Sequence, residues 1–155
     1  MDLKSRLVRR LERLENHLAF VVSLHLFVEN LIDALIEHRS PTAKQILEDH
    51  RAYSFSVKLT IVFNMALVPE GLFKNLRALN SLRNEYAHQI DVDLAKSFAT
   101  KTFVSPRGGP AFCGVSFEDA FALESVDEGK KALSELREIT FGWLHDACAT
   151  AGVTR

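Results

Sequence analysis

Cysteine is scarce in this chain, with Cys113 and Cys148 the only two in 155 residues. They have neither zinc-ligand spacing nor the density of a disulfide-stapled secreted scaffold, so a reducing compartment and inert thiols are expected. Charge of one sign is lacking too. A net charge of -1 gives no bulk attraction to nucleic acid, so any RNA or DNA contact must come from a local basic patch or from a partner. No glycine-rich phosphate loop and no Gly-x-Ser-x-Gly elbow are present, which removes nucleotide hydrolysis and esterase chemistry. His17, His25, His38 and His50 do not share a metal spacing, so neither a metal nor a cofactor is expected. The N-terminus leads into a charged helix, and no uninterrupted apolar run approaches membrane-spanning length, so a cytoplasmic location away from membranes is expected.

What the chain does have is helix periodicity. Hydrophobic residues make up 47% and charged residues 25%, enough apolar material for a core, and no repeat or linker divides the sequence. One domain over residues 1–155 is expected. Leu7, Leu11, Leu14, Leu18, Val21, His25, Val28, Ile32 and Leu35 keep a four-three alternation, which predicts one long helix from about residue 3 to 38, basic in its first third. A short helix should follow Pro41. Residues 54–68 are apolar on nearly all sides with Lys58 as the single charge, so that helix should lie in the centre. Asp91 or Asp93 can cap a short helix through Phe98. Ser105-Pro106-Arg107-Gly108-Gly109-Pro110 reads as the tip of a loop or small hairpin over about 101–115, and a last helix should run from about Val126 to Ala149. The fold class is therefore all-α, an up-and-down bundle of about four main helices with short accessory ones.

The helix after Pro69-Glu70-Gly71 carries the chemistry. Leu72, Leu76, Leu79, Tyr86 and Ile90 form its apolar stripe, and Arg83 occupies the missing heptad position. Beside that stripe Arg77, Ser81, Asn84 and His88 line up over three turns. A histidine titrating near neutrality can take a proton from a ribose 2′-hydroxyl, while a permanently charged guanidinium neutralises the phosphate in the transition state. Arg83 and His88 are five residues apart, roughly 140° around a helix, so one copy converges poorly unless the arginine reaches around or the helix frays at Ala87. Pairing two copies across a two-fold axis removes that difficulty.

The spacing alone arises too readily by chance to decide, but its context does more. Phe55-Ser56-Val57-Lys58-Leu59, an apolar helix, Pro69-Glu70 and then Leu79-Asn80-Ser81-Leu82-Arg83-Asn84-Glu85-Tyr86-Ala87-His88 resemble the core of HEPN-superfamily domains over roughly residues 20 to 90. The resemblance implies an all-helical fold and metal-independent RNA cleavage in a cleft between two protomers. It carries the Arg-x-x-x-x-His signature onto Arg83 and His88, with Asn84 as the polar residue after the arginine. It further implies a toxin-antitoxin or phage-defence role, with RNA as substrate, a homodimer as the active form, and a cognate antitoxin or regulatory protein as partner. Ile90 stands where one branch carries a modifiable tyrosine, so regulation at that position is not implied. Arg77, Ser81 and Arg107 are weaker candidates for substrate binding.

A second reading stays open beside this one. Relatives of the family include non-catalytic interaction and regulatory modules that hold a partner protein. In structural terms Arg83 could pair with Glu29 or Asp33, and His88 could bond the last carbonyls of its own helix. His88, Asp91 and Asp93 could hold a divalent ion, although capping explains the aspartates more simply.

Overall fold

In the computed structural model, which describes residues 2–12, 16–88 and 92–154, the chain is an all-α helical bundle. Its helices are α1 (Leu3–Glu12), α2 (His17–Arg39), α3 (Ala43–Glu48), α4 (Phe55–Asn64), α5 (Glu70–His88), α6 (Leu94–Ala99), α7 (Phe117–Ala120), α8 (Val126–Arg137) and α9 (Trp143–Thr150). A π-helical turn, Glu138–Gly142, joins α8 to α9. Leu14 and Ile90 of the apolar stripes and Asp91, a capping candidate, lie outside the described residues.

The expected single helix over residues 3–38 is two helices. Asn16 is extended and its side chain accepts from the Leu18 amide, which starts α2 afresh. The heptad pattern did not reveal this break because both pieces bury the same stripe: Leu3, Leu7 and Leu11 in α1, then Val21, Val28, Ile32 and Leu35 in α2. Although α2 is long and apolar enough to cross a membrane by composition, more than half of its most apolar stretch is buried within the bundle.

The central position expected for residues 54–68 is also corrected. α4 packs on α2 and α5 through Phe55, Leu59 and Val62, while Ser56, Val57 and Thr60 are exposed. Its lone charge points inward. Lys58 is buried and donates to Glu29 Oε1 at 3.1 Å and Asp33 Oδ1 at 2.6 Å. Burial acts to lower its pKa, but these two carboxylates more than offset it and the net shift is upward.

α5 packs against α2, α4, α6 and the π-helical turn. Leu72, Leu76, Leu79 and Leu82 are fully buried, each stabilising the fold by about 1.5–3 kcal/mol relative to exposure. Gly71 permits its first turn to meet Trp143, since a Cβ there would approach the ring within 2.8 Å. One turn on, fully buried Asn75 donates to the carbonyls of Val104 and Ile139 at 2.8 and 2.9 Å and accepts from the Val104 amide at 2.8 Å. The Ile139 carbonyl lies within the π-helical turn, where the wider ladder leaves such groups to outside donors. The last helix is thus interrupted where α5 crosses it.

The loop over 101–115 closes with a single bridge, Val104 to Pro110, and its flanks turn inward. Phe103 and Phe112 are buried against Phe98, with ring centroids 5.5 to 6.0 Å apart. Asp93 caps α6 through the Lys96 amide, as expected.

Candidate functional site

The polar stripe of α5 faces an open groove of about 460 Å³ between α4 and α5, lined by Ser56, Leu59, Arg77, Asn80, Ser81, Asn84, Glu85 and His88. Helix geometry explains why these residues gather. Steps of three or four keep Arg77, Ser81, Asn84 and His88 on one side, and α4 supplies Ser56 and Leu59 as the opposite wall. The expected stripe is therefore assembled. Arg107 does not join it: it is exposed at the tip of its loop and is not among the residues that line the groove.

α5 stays helical through His88, so no fraying at Ala87 swings the imidazole round toward Arg83. His88 is exposed, lines the groove and hydrogen-bonds to no described residue. Arg83 is half-buried beside the groove rather than lining it, and its Nη1 donates to Asn84 Oδ1 at 3.1 Å. The expected alternative, an ion pair from Arg83 to Glu29 or Asp33, is not formed because Lys58 holds both carboxylates. Arg83 thus keeps its charge without a carboxylate partner among the described residues.

Sequence reasoning missed the residues that stand behind the groove. His25 is 3% exposed, packs on Phe55 at 4.4 Å between ring centroids, and places Nε2 3.0 Å from Asn80 Oδ1. Burial pushes its pKa down, and the nearby charges of Arg83 and Lys58 act the same way. The Asn80 bond and Glu29 only partly oppose them. Periodicity placed His25 in the core correctly, but nothing in the sequence linked it to a residue 55 positions away.

Two other groove features bear on charge. Arg77 lies over the Phe73 ring at 5.7 Å, and Phe73 stacks on Phe63 at 4.3 Å, so this exposed cation has a supported base. Glu85 is tied to Lys101. Burial acts to raise its pKa, but hydrogen bonds from Lys101, Ser97 and Ser81 together with the lysine charge make the net shift downward. On another face of α5 the Tyr86 hydroxyl is buried with no hydrogen-bond partner among the described residues, and burial pushes its pKa upward, helped by Glu85 and Asp93.

Among the described residues no three histidine, cysteine, aspartate or glutamate side chains gather as a metal site, and Asp91, one of the sequence candidates, is not among those residues. No protein-family model and no curated protein matches the sequence. Among solved structures the chain is similar to a chain of the MtlR–HPr complex from Escherichia coli, with a TM-score of 0.57 and 16% identity. The match covers 95% of this chain and 96% of that one, and at this identity what it shows is a shared all-helical fold.

Proposed function

We propose that this chain is a metal-independent endoribonuclease of the HEPN type, active as a homodimer, and serving as a toxin-antitoxin or phage-defence component. The observation that carries the reading is the half-buried Arg83 guanidinium, which has no carboxylate partner among the described residues. It is steered by Asn84, which lines the same groove as the exposed His88. A structural arginine on an apolar stripe would be expected to have found a carboxylate. Arg83 uses one of its five N–H donors on Asn84, and the others are available to a phosphate.

In this mechanism His88 removes the proton from the 2′-hydroxyl, the oxygen attacks the adjacent phosphorus, and the 5′-oxygen leaves, giving a 2′,3′-cyclic phosphate. Arg83 offsets charge on the phosphoryl oxygens. Within one protomer the two side chains point about 140° apart, so the complete site would pair His88 of one copy with Arg83 of the other. The resemblance of residues 55–59 and 79–88 to HEPN domains supports this assignment.

The test measures cleavage of total RNA in EDTA by wild type, His88→Ala and Arg83→Ala, with melting recorded on the same preparations. The expected result is activity that survives chelation and falls by about two to four orders of magnitude in His88→Ala, with its melting temperature nearly unchanged. A wild type that cleaves nothing while either variant melts several degrees lower rejects the proposal. A second reading, a non-catalytic module that holds a partner protein, is favoured by one observation: the similar solved structure is described as a complex of two proteins. Inertness toward RNA together with a tight protein partner would select it.

A further inference from the structure

Two asparagines one turn apart line the groove, and each has its oxygen held from behind. Asn84 Oδ1 accepts from Arg83, and because a guanidinium can only donate, the amide nitrogen of Asn84 must face the other way. Asn80 Oδ1 lies 3.0 Å from His25 Nε2. An imidazole held neutral by burial carries one N–H, and a carbonyl oxygen can only accept, so that proton sits on Nε2. Each asparagine therefore has its NH₂ group turned away from its partner, and both residues line the groove with their Cβ atoms about 6 Å apart at an i, i+4 spacing. Arg77 stands one turn before Asn80, propped on Phe73. The carboxylate in the groove, Glu85, has its charge offset by Lys101.

We infer that Asn80 and Asn84 form a paired-amide site for the phosphodiester oxygens of single-stranded RNA, and that His25 is the positioning residue that aims Asn80. This rests on the ribonuclease reading for the choice of polyanion, but it concerns binding and not cleavage. Donor pairs without a strong net charge suit a flexible backbone threaded along α5, with Arg77 taking a phosphate beyond the reacting one. The His25 ring never touches the ligand. It acts by holding the amide in one orientation, so that no rotation has to be frozen when the phosphate arrives.

The experiment uses the full chain and a fluorescent single-stranded RNA whose 2′-hydroxyls are methylated, so that it binds but cannot be cut. Anisotropy on wild type should show saturable binding. Asn80→Ala should weaken it about 10- to 100-fold, as expected for hydrogen bonds to a charged group. His25→Leu should weaken it about tenfold, while His25→Gln, whose amide can donate to the same oxygen, should stay within about threefold of wild type. Because either position could affect folding, nitrogen-15 NMR of wild type gives a second measure. It should show His25 as the Nε2–H tautomer and the Asn80 side-chain amide shifting on RNA addition. An Nδ1–H tautomer, an unshifted Asn80 amide, equal binding by His25→Gln and His25→Leu, or no binding by wild type overturns the inference. Intact, Asn80-dependent binding with no cleavage of unmodified RNA would instead remove the catalytic reading and leave this site standing.

Discussion

Asparagine serves opposite purposes in the two halves of α5. Near its start Asn75 is fully buried and its three hydrogen bonds reach two other segments, so its polarity is consumed in fastening Val104 and the π-helical turn to the helix. Near its end Asn80 and Asn84 are half-buried and line an open groove, each with its oxygen engaged and its nitrogen without a hydrogen-bond partner among the described residues. The same amide is a structural rivet where both N–H groups and the oxygen are engaged internally, and a recognition element where only the oxygen is engaged and the NH₂ group is left. The difference between spent and unspent hydrogen-bonding capacity marks the site more sharply than residue type does.

The largest expected effect tests the rivet. Asn75→Ala would leave the buried Ile139 carbonyl and the part-buried Val104 amide and carbonyl without this partner, at about 1–3 kcal/mol for each unsatisfied group. Even with partial relaxation, a loss of about 3–5 kcal/mol is expected, which is about 10 °C in melting temperature for a chain of this length. Calorimetry of Asn75→Ala beside Asn84→Ala checks the contrast. If Asn84→Ala melted as low as Asn75→Ala, the two halves of the helix would not differ in the way described.

A smaller effect separates the two cations. Lys58 is locked between Glu29 and Asp33, whereas Arg83 has only an amide partner among the described residues. Lys58→Met keeps the apolar stem and removes the charge, leaving two carboxylates about one-third exposed and facing each other. Their partial hydration limits the cost to about 1–3 kcal/mol, below that of breaking a fully buried pair. Denaturant unfolding should show this loss, and RNA binding should be unaffected. A Lys58→Met protein as stable as wild type would mean that the clamp contributes specificity of packing alone.

The legible and the hidden parts of this molecule divide along the same line. Periodicity within one helix is local, so the Leu72, Leu76 and Leu79 stripe and the alignment of Arg77, Ser81, Asn84 and His88 could be read directly. The break before α2 was hidden because one apolar stripe continues across it, and only the capping role of Asn16 marks the boundary. The loop at 101–115 could be recognised by its glycines and prolines, but the burial of Phe103 and Phe112 depends on rings contributed by α6 and α7. Lys58 stood out as a lone charge, and its inward direction followed from carboxylates 25 and 29 residues away. Periodicity put His25 in the core, but its partner could not be read, and Asn75 and Asn80 could not be assigned at all, because each acquires its role from a partner that only the fold brings near.

The smallest effect compares the two histidines nearest the groove, and its sign follows from burial. His25 has a folded pKa below its ordinary value of 6.5, burial being the largest cause. Below that value the unfolded chain binds a proton that the folded chain resists, so stability must fall as pH drops from neutrality through 6.5 toward the folded pKa. The groups facing His25 reinforce this: Arg83 and Lys58 oppose its protonation, and Glu29 favours it only partly. His88 is exposed at the end of α5 and serves as the control. Melting followed from pH 7.5 to 5 should therefore show a decline that His25→Leu flattens and His88→Ala leaves in place. A decline that survives in His25→Leu would assign the acid sensitivity to another group and weaken the case that the His25–Asn80 bond depends on a neutral ring.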